Sequence, residues 1–293
     1  MRISHLGTRY RITKHNVSAV IGEVGATLHS LTWNGTEMLD GLQDDEPFLP
    51  WFGTSLAPWP NRVRDGRYTF NGEELQLPIN EPSRSCALHG LAYALEWRLV
   101  ERSDTHVTLS TVIYPQVGWP AICQLYSRFE IVDGGLTVSW EATNVGDVAF
   151  PFGYGSHLYF RFDEIADVEL ESPFAQELFV DERLLPTSLD DVSDEHDFRK
   201  PRPLSDVVMD TAFTAAPEGW EINLTGSNRR VTLWADGHHR WVQMFTHPER
   251  PSIAVEPMTC GPDAFNEGVT HDDLIRLNPG EATSGTWGIR VRG

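Results

Sequence analysis

Several stretches of this chain alternate apolar and polar residues with period two, and each stops at a short turn signal. That pattern constrains the fold more than any other feature, because a period of two belongs to a half-buried strand and a period of 3.6 to a helix. Residues 106–112, 125–131, 136–141, 230–234 and 285–291 all alternate this way. Asp133-Gly134-Gly135 separates two of these runs. Asn34-Gly35 and Asn71-Gly72 each sit between short apolar or β-branched stretches, which predicts hairpin turns. The one helix signal, residues 272–276, is too short to shape the fold. Many short strands with Gly, Pro and Asn turns predict an all-β protein, an antiparallel β-sandwich or barrel. The 24 glycines and 19 prolines are spread along the sequence and mark no linker. With no internal repeat and no break in composition, residues 1–293 read as one domain. The most acidic stretch, residues 190–197 between Pro186 and Pro201, reads as a solvated loop.

Charge narrows the range of functions. Lys and Arg number 23 against 42 Asp and Glu, a formal net charge of −19. A nucleic-acid binder needs cations to displace counterions from phosphates, so no nucleic-acid partner is expected. Docking on an anionic membrane is disfavoured for the same reason. No apolar run is long enough to span a bilayer, and the first residues lack the apolar core of a signal peptide. Three cysteines, Cys86, Cys123 and Cys260, form no CxxC and are odd in number. They read as reduced thiols of a cytoplasmic protein.

Familiar catalytic motifs are missing. Gly153-Tyr154-Gly155-Ser156-His157 approaches a nucleophile elbow but puts the serine in the wrong place. No phosphate-binding glycine loop opens a helix, and no HExxH or Cys/His spacing fits a metal. His238-His239 would point to opposite faces of a strand. Two distant histidines with a glutamate are a conceivable iron triad, and nothing in their spacing favours it. Five ionisable residues nevertheless stand among apolar or aromatic neighbours: Arg62, His89, His157, Asp210 and Glu256. A charge buried that way is costly unless paired, so such groups cluster or serve a site. Glu256 follows Ile253-Ala254-Val255 and precedes Pro257, which reads as a carboxylate delivered to a strand end.

Read in order, the segments around these residues resemble the aldose 1-epimerase (galactose mutarotase) family nearly end to end. Asn61-Arg62-Val63 with Gly66 to Gly72, then Leu77-Pro78 and Leu88-His89-Gly90, match its early segments. Gly118-Trp119-Pro120, Ser156-His157-Leu158-Tyr159-Phe160 and residues 186–213 continue the match. Glu256 to Asn266 and Leu277-Asn278-Pro279-Gly280-Glu281 are similar to its closing signatures. No single motif is specific; their shared order over some 220 residues carries the resemblance. Departures fall at Ser156, at Met258 and at Arg161-Phe162, and bear on sugar preference more than on reaction type.

The resemblance implies a large antiparallel sandwich, the galactose mutarotase-like supersandwich. It implies interconversion of the α and β anomers of a free monosaccharide, and no metal or organic cofactor. Ring opening needs a base for the C1 hydroxyl and an acid for the ring oxygen. The resemblance casts Glu256 as base and His157 as acid on opposite sides of the hemiacetal. It casts Arg62, His89 and Asp210 as holders of sugar hydroxyls. An unperturbed glutamate near about 4.3 is ionised at neutral pH, whereas an imidazole near about 6.5 needs a neighbouring carboxylate to stay charged. Trp51, Phe52 and Trp59 are candidates for an aromatic wall under the sugar. Two other readings remain at this point. One is an epimerase of hexose 6-phosphates using Arg64, Arg67 and Arg84; the other is a sugar-binding sandwich without turnover.

Overall fold

A computed structural model describes residues 4–41, 51–205, 207–246 and 251–293. The described chain is all-β, with antiparallel strand ladders and only short 3-10 turns of helix. One nine-stranded sheet runs in the order Arg98–Arg102, His106–Ile113, Cys123–Val132, Gly135–Asn144, Ala282–Arg292, Arg230–Ala235, Glu221–Thr225, Glu169–Glu171, Arg202–Pro203. An eight-stranded sheet runs Pro186–Asp191, Gln176–Val180, Asp210–Thr214, Trp241–Thr246, Ser252–Met258, Gly155–Ser156, Ser55–Leu56, with Tyr159–Arg161 also paired to Ser252–Met258. A four-stranded sheet, Arg9–Lys14 to Thr36–Glu37, adds its apolar face to the same core.

The alternation predicted from sequence is what builds this core. Val107, Leu109, Leu125, Phe129, Val138, Trp140, Leu233 and Ile289 turn to one side of the nine-stranded sheet and join one large apolar cluster. Phe213, Val242, Met244, Ile253 and Val255 of the eight-stranded sheet enter that cluster from the other side. Period two then leaves Ala212, Gln243, Ala254, Glu256 and Met258 on the opposite face, away from the main core. That face is where the site forms.

The hairpins at Asn34-Gly35, Asn71-Gly72 and residues 133–135 are present, and the first two carry left-handed backbone at both turn residues, as a tight hairpin requires. Four details differ from the sequence expectations. Residues 272–276 hold a 3-10 turn, His271–Asp273, and then the strand Ile275–Leu277, because pairing with Phe150–Phe152 overrides the weak helix signal. The acidic stretch starts inside the strand Pro186–Asp191, which pairs with Gln176–Val180, Leu189 packing opposite Leu178. Pro257 does not end its strand; the strand runs on to Met258, with Pro257 opposite Val242. His238 and His239 lie in a turn, the first exposed and the second fully buried.

His239 shows how a buried imidazole is made tolerable. Trp140 Nε1 donates to its Nε2 at 3.1 Å, so the proton sits on Nδ1, 2.9 Å from an Asp236 oxygen. All three cysteines are buried and unbonded.

Gly90 lets the chain after His89 pass close to Ala57, with a backbone φ of +74°. A Cβ there would fall on the Ala57 carbonyl and demand a left-handed alanine. Gly90→Ala is expected to lower stability by about 1–3 kcal/mol and to weaken activity, since His89 must move with it. Thermal unfolding of the variant checks this; an unchanged Tm would contradict the close approach.

Candidate active site

Glu256 is placed by register. Its direct cross-strand neighbour on one side is Gln243. On the other side Gly155 pairs with Met258 and Tyr159 with Ala254, and this shared register sets His157 across from Glu256. His157 Nε2 and Glu256 Oε1 are 3.2 Å apart, with side chains 8% and 2% exposed. One strand beyond Gln243, Asp210 starts the strand Asp210–Thr214 and accepts from Gln243 Nε2 at 2.7 Å. His157, Glu256, Gln243 and Asp210 thus form a polar row across an otherwise apolar sheet face.

A small ribbon covers the row. Arg62–Arg64 pairs with Cys86–Leu88, Arg62 opposite Leu88, so Arg62 and the following His89 arrive together. Asn61 and His89 both have left-handed backbone, at φ +55° and +61°. They are tied reciprocally: His89 N–H donates to the Asn61 carbonyl at 2.9 Å, and Asn61 N–H donates to His89 Nδ1 at 3.1 Å. Asn61 Nδ2 reaches Gln243 Oε1 at 3.4 Å, linking ribbon to sheet. The His89 ring stands 5.1 Å from the His157 ring and 5.2 Å from Trp51. His157 stacks on Tyr159, which stacks in turn on Phe52 at 4.1 Å. Arg62 meets Glu81 with two hydrogen bonds, Nε at 2.8 Å and Nη2 at 3.0 Å.

The five residues singled out in the sequence are therefore drawn into one neighbourhood. Glu256 and His157 stand side by side in contact on one sheet face, where the resemblance leads one to expect them on either side of a hemiacetal, because the ladder makes them cross-strand neighbours. Of the three aromatic candidates, Trp51 adjoins His89, and Phe52 reaches the site through Tyr159, which stacks on His157. Trp59 does not: it is buried in the main core, 5.5 Å from Phe265, with its indole N–H on the Ala87 carbonyl. Sequence reasoning missed Asn61, Glu81 and Gln243. Gln243 carries a usable signal, a lone amide inside residues 241–245. Glu81, before Pro82, looks like an ordinary turn residue.

Burial dominates the electrostatics. It pushes the His157 imidazole down to about 3. It pushes the Glu256 carboxyl well above its ordinary value, helped by the Asp210 charge and opposed by Arg62. The contact between them favours an ion pair, and burial of both opposes it. Burial thus disfavours charge on both members of the pair. The ion pair and the neutral pair differ only by one proton shifted across 3.2 Å. Among the described residues, Glu256 Oε2 and His157 Nδ1 are buried with no hydrogen-bond partner. Such orphaned atoms call for a ligand that supplies the missing bonds.

Donor atoms of His89, His157 and Glu256 lie within 4.8 Å of one another, close enough to suggest a metal centre. The hydrogen bonding argues against one. A backbone N–H can only donate, so His89 Nδ1 is an acceptor and Nε2 carries the proton. A metal on Nε2 would move that proton to Nδ1, against the Asn61 N–H. His89 is fitted to donate a hydrogen bond instead.

Comparison with known proteins places the chain in a family and shows its fold in solved structures. The family described as Aldose 1-epimerase matches residues 8–290. The uncharacterized protein YihR of Escherichia coli K12 is 33% identical over 269 residues, covering 90% of this chain and 86% of its own. A crystal structure of a putative aldose 1-epimerase from Escherichia coli K12 superposes with a TM-score of 0.84 at 23% identity, covering 97% of this chain and 99% of the other. A GalM/aldose epimerase homologue from C. elegans gives 0.86 at 18%, covering 97% and 98%. The two structures show the same fold.

The neutral histidines make stability depend on pH. Burial lowers His89, His157 and His239 below the ordinary imidazole value. The unfolded chain protonates them below about pH 6.5 while the folded chain resists, so their contribution is lost as pH falls. Glu256 acts oppositely, since the folded chain keeps a proton that the unfolded chain releases above about pH 4.3. Three imidazoles outweigh one carboxyl, at up to about 1.4 kcal/mol per pH unit for each excess proton. Tm is expected to fall between pH 6.5 and 5, and less steeply in His157→Asn. Equal slopes in the two proteins would contradict a neutral His157.

Proposed function

The chain belongs to the aldose 1-epimerase family, and from that premise we propose that it interconverts the α and β anomers of a free, uncharged aldose. The observation that carries this reading is the His157–Glu256 contact with its two orphaned atoms. A sugar hydroxyl at Glu256 Oε2 stabilises the carboxylate, and the pair's proton then resides on His157. Glu256 takes the proton of the C1 hydroxyl, the C1–O5 bond breaks, and O5 receives its electron pair and a proton from His157. The C1 aldehyde rotates about C1–C2 and the same transfers run backwards onto its other face. The proton count of the pair is restored each time, so no solvent proton and no covalent nucleophile are needed. His89 donates through Nε2, Asp210 accepts, and the Arg62 group left over from Glu81 clamps a hydroxyl. Trp51 and Phe52 offer apolar surface to the ring.

Among the described residues the arginines proposed for a phosphate are already engaged. Arg64 pairs with Asp263 at 3.2 Å, Arg67 with Glu74 at 3.8 Å and Arg84 with Glu81 at 2.9 Å. This favours a neutral sugar over a hexose 6-phosphate. A binding protein without turnover would have no need to bury an acid–base pair at the cost of two unmade hydrogen bonds. Buried free cysteines fit a reducing compartment such as the cytoplasm.

Glu256→Gln and His157→Asn should each slow turnover by about 10²-fold or more with the fold intact. Polarimetry of freshly dissolved α-glucose and α-galactose tests this, and wild-type rates equal to buffer across a sugar panel would overturn the proposal. Arg62→Ala should raise KM more than it lowers kcat. A collapse of kcat at constant KM would remove Arg62 from the clamp.

A further inference from the structure

We propose that Glu81 sets the charge class of sugar this site accepts: by neutralising Arg62 it keeps the site for uncharged aldoses and turns away sugars bearing phosphate or carboxylate. The proposal rests on the sugar-site reading above and extends it to a residue outside the row on the sheet.

Arg62 is the cation placed against the row, yet it does not act there as a free charge. Both Glu81 oxygens bind it, Oε2 to Nε at 2.8 Å and Oε1 to Nη2 at 3.0 Å. The two side chains are 9% and 11% exposed, so water screens the pair little. A buried, doubly bonded carboxylate cancels the guanidinium charge while leaving N–H groups to donate. Asp210 remains as a negative charge near Arg62 and Glu256, and it repels an anion further.

Glu81 is also held where it is. Its backbone exchanges hydrogen bonds with Cys86, at 3.1 and 3.2 Å. Arg84, 37% exposed, adds a bond to Oε1 at 2.9 Å. Arg183 reaches in from a distant hairpin to the carbonyls of Arg84 and Ser85, at 3.0 and 3.3 Å, and to Asp65 at 2.6 Å. The loop therefore cannot swing aside to free Arg62 for an arriving anion without breaking this set. Glu81→Gln keeps the shape of the contact and removes the cancelling charge.

The test measures binding of an unreactive pair, 1,5-anhydroglucitol and its 6-phosphate, by calorimetry; neither has an anomeric hydroxyl, so turnover does not intervene. Wild type should bind the phosphate at least about tenfold more weakly, Glu81→Gln should narrow or reverse that ratio by at least about tenfold, and Glu81→Asp should keep the wild-type preference. Inorganic phosphate should compete with 1,5-anhydroglucitol in Glu81→Gln and not in wild type. The double variant Glu81→Gln/Arg84→Ala should retain the gain, since the freed charge is that of Arg62. The proposal is overturned by an unchanged ratio in Glu81→Gln, or by loss of the gain when Arg84 is removed. Should Glu81→Gln not fold, equal wild-type affinity for the two probes overturns it alone. An unchanged ratio with normal mutarotation refutes only the role of Glu81. Failure to bind either probe, with mutarotation at the buffer rate, refutes the sugar site as well.

Discussion

A carboxylate taken almost wholly out of water must be paired, or it must give up its charge. Glu256 is in that position, at 2% exposure on a central strand. Much of the site is the answer to this constraint. Register supplies His157 on one side and Gln243 on the other. The imidazole can hold the proton that the carboxyl would otherwise keep. The amide cannot hold a proton, and it stands between Glu256 and the second carboxylate, Asp210, which it binds two strands away from Glu256. Had Asp210 stood beside Glu256, like-charge repulsion would have raised one of the two carboxyls still further.

Such an arrangement suits a reaction that consumes no net proton. Ring opening takes one proton from O1 and gives one to O5; ring closure returns both. A pair that exists as an ion pair or as two neutral groups, differing by a single short transfer, matches both ends of that cycle. Burial tilts the pair toward neutrality, and a hydrogen-bond donor at the orphaned oxygen would tilt it back. Charge balance around Arg62 follows the same logic. Pairing with Glu81 leaves Arg62 with hydrogen-bond donors and little net positive charge.

How much of this was legible in the sequence depends on the range of the interaction. Strands 106–113, 123–132 and 135–144 follow from alternation and turn residues alone, because strand period and hairpin chemistry are local. Helix against strand at residues 271–277 was not legible, since pairing with a segment more than a hundred residues away decided it. The five charged residues could be picked out by their apolar surroundings, and the family motifs gave them roles. Their mutual geometry was hidden. That His157 touches Glu256 depends on two strand pairings that share one register, which no local pattern encodes. Glu81 escaped notice because its neighbours, Asn80 and Pro82, look like any turn; only the fold brings Arg62 to it.

The metal question turns on one backbone amide. Two imidazoles and a carboxylate within a few ångströms are a donor set that elsewhere holds divalent ions. Distance alone cannot separate a metal centre from an acid–base site, because both need the same groups close together. Protonation state can. A ligating histidine turns a lone pair inward and a proton outward, toward an acceptor. His89 meets a donor on its outer side, the N–H of Asn61, and so must turn its proton inward. The left-handed backbone at Asn61 and at His89 is what aims these two groups at each other. Local strain in the ribbon thereby fixes a tautomer, and the tautomer makes His89 a donor through Nε2 where a free imidazole would have served a metal equally well.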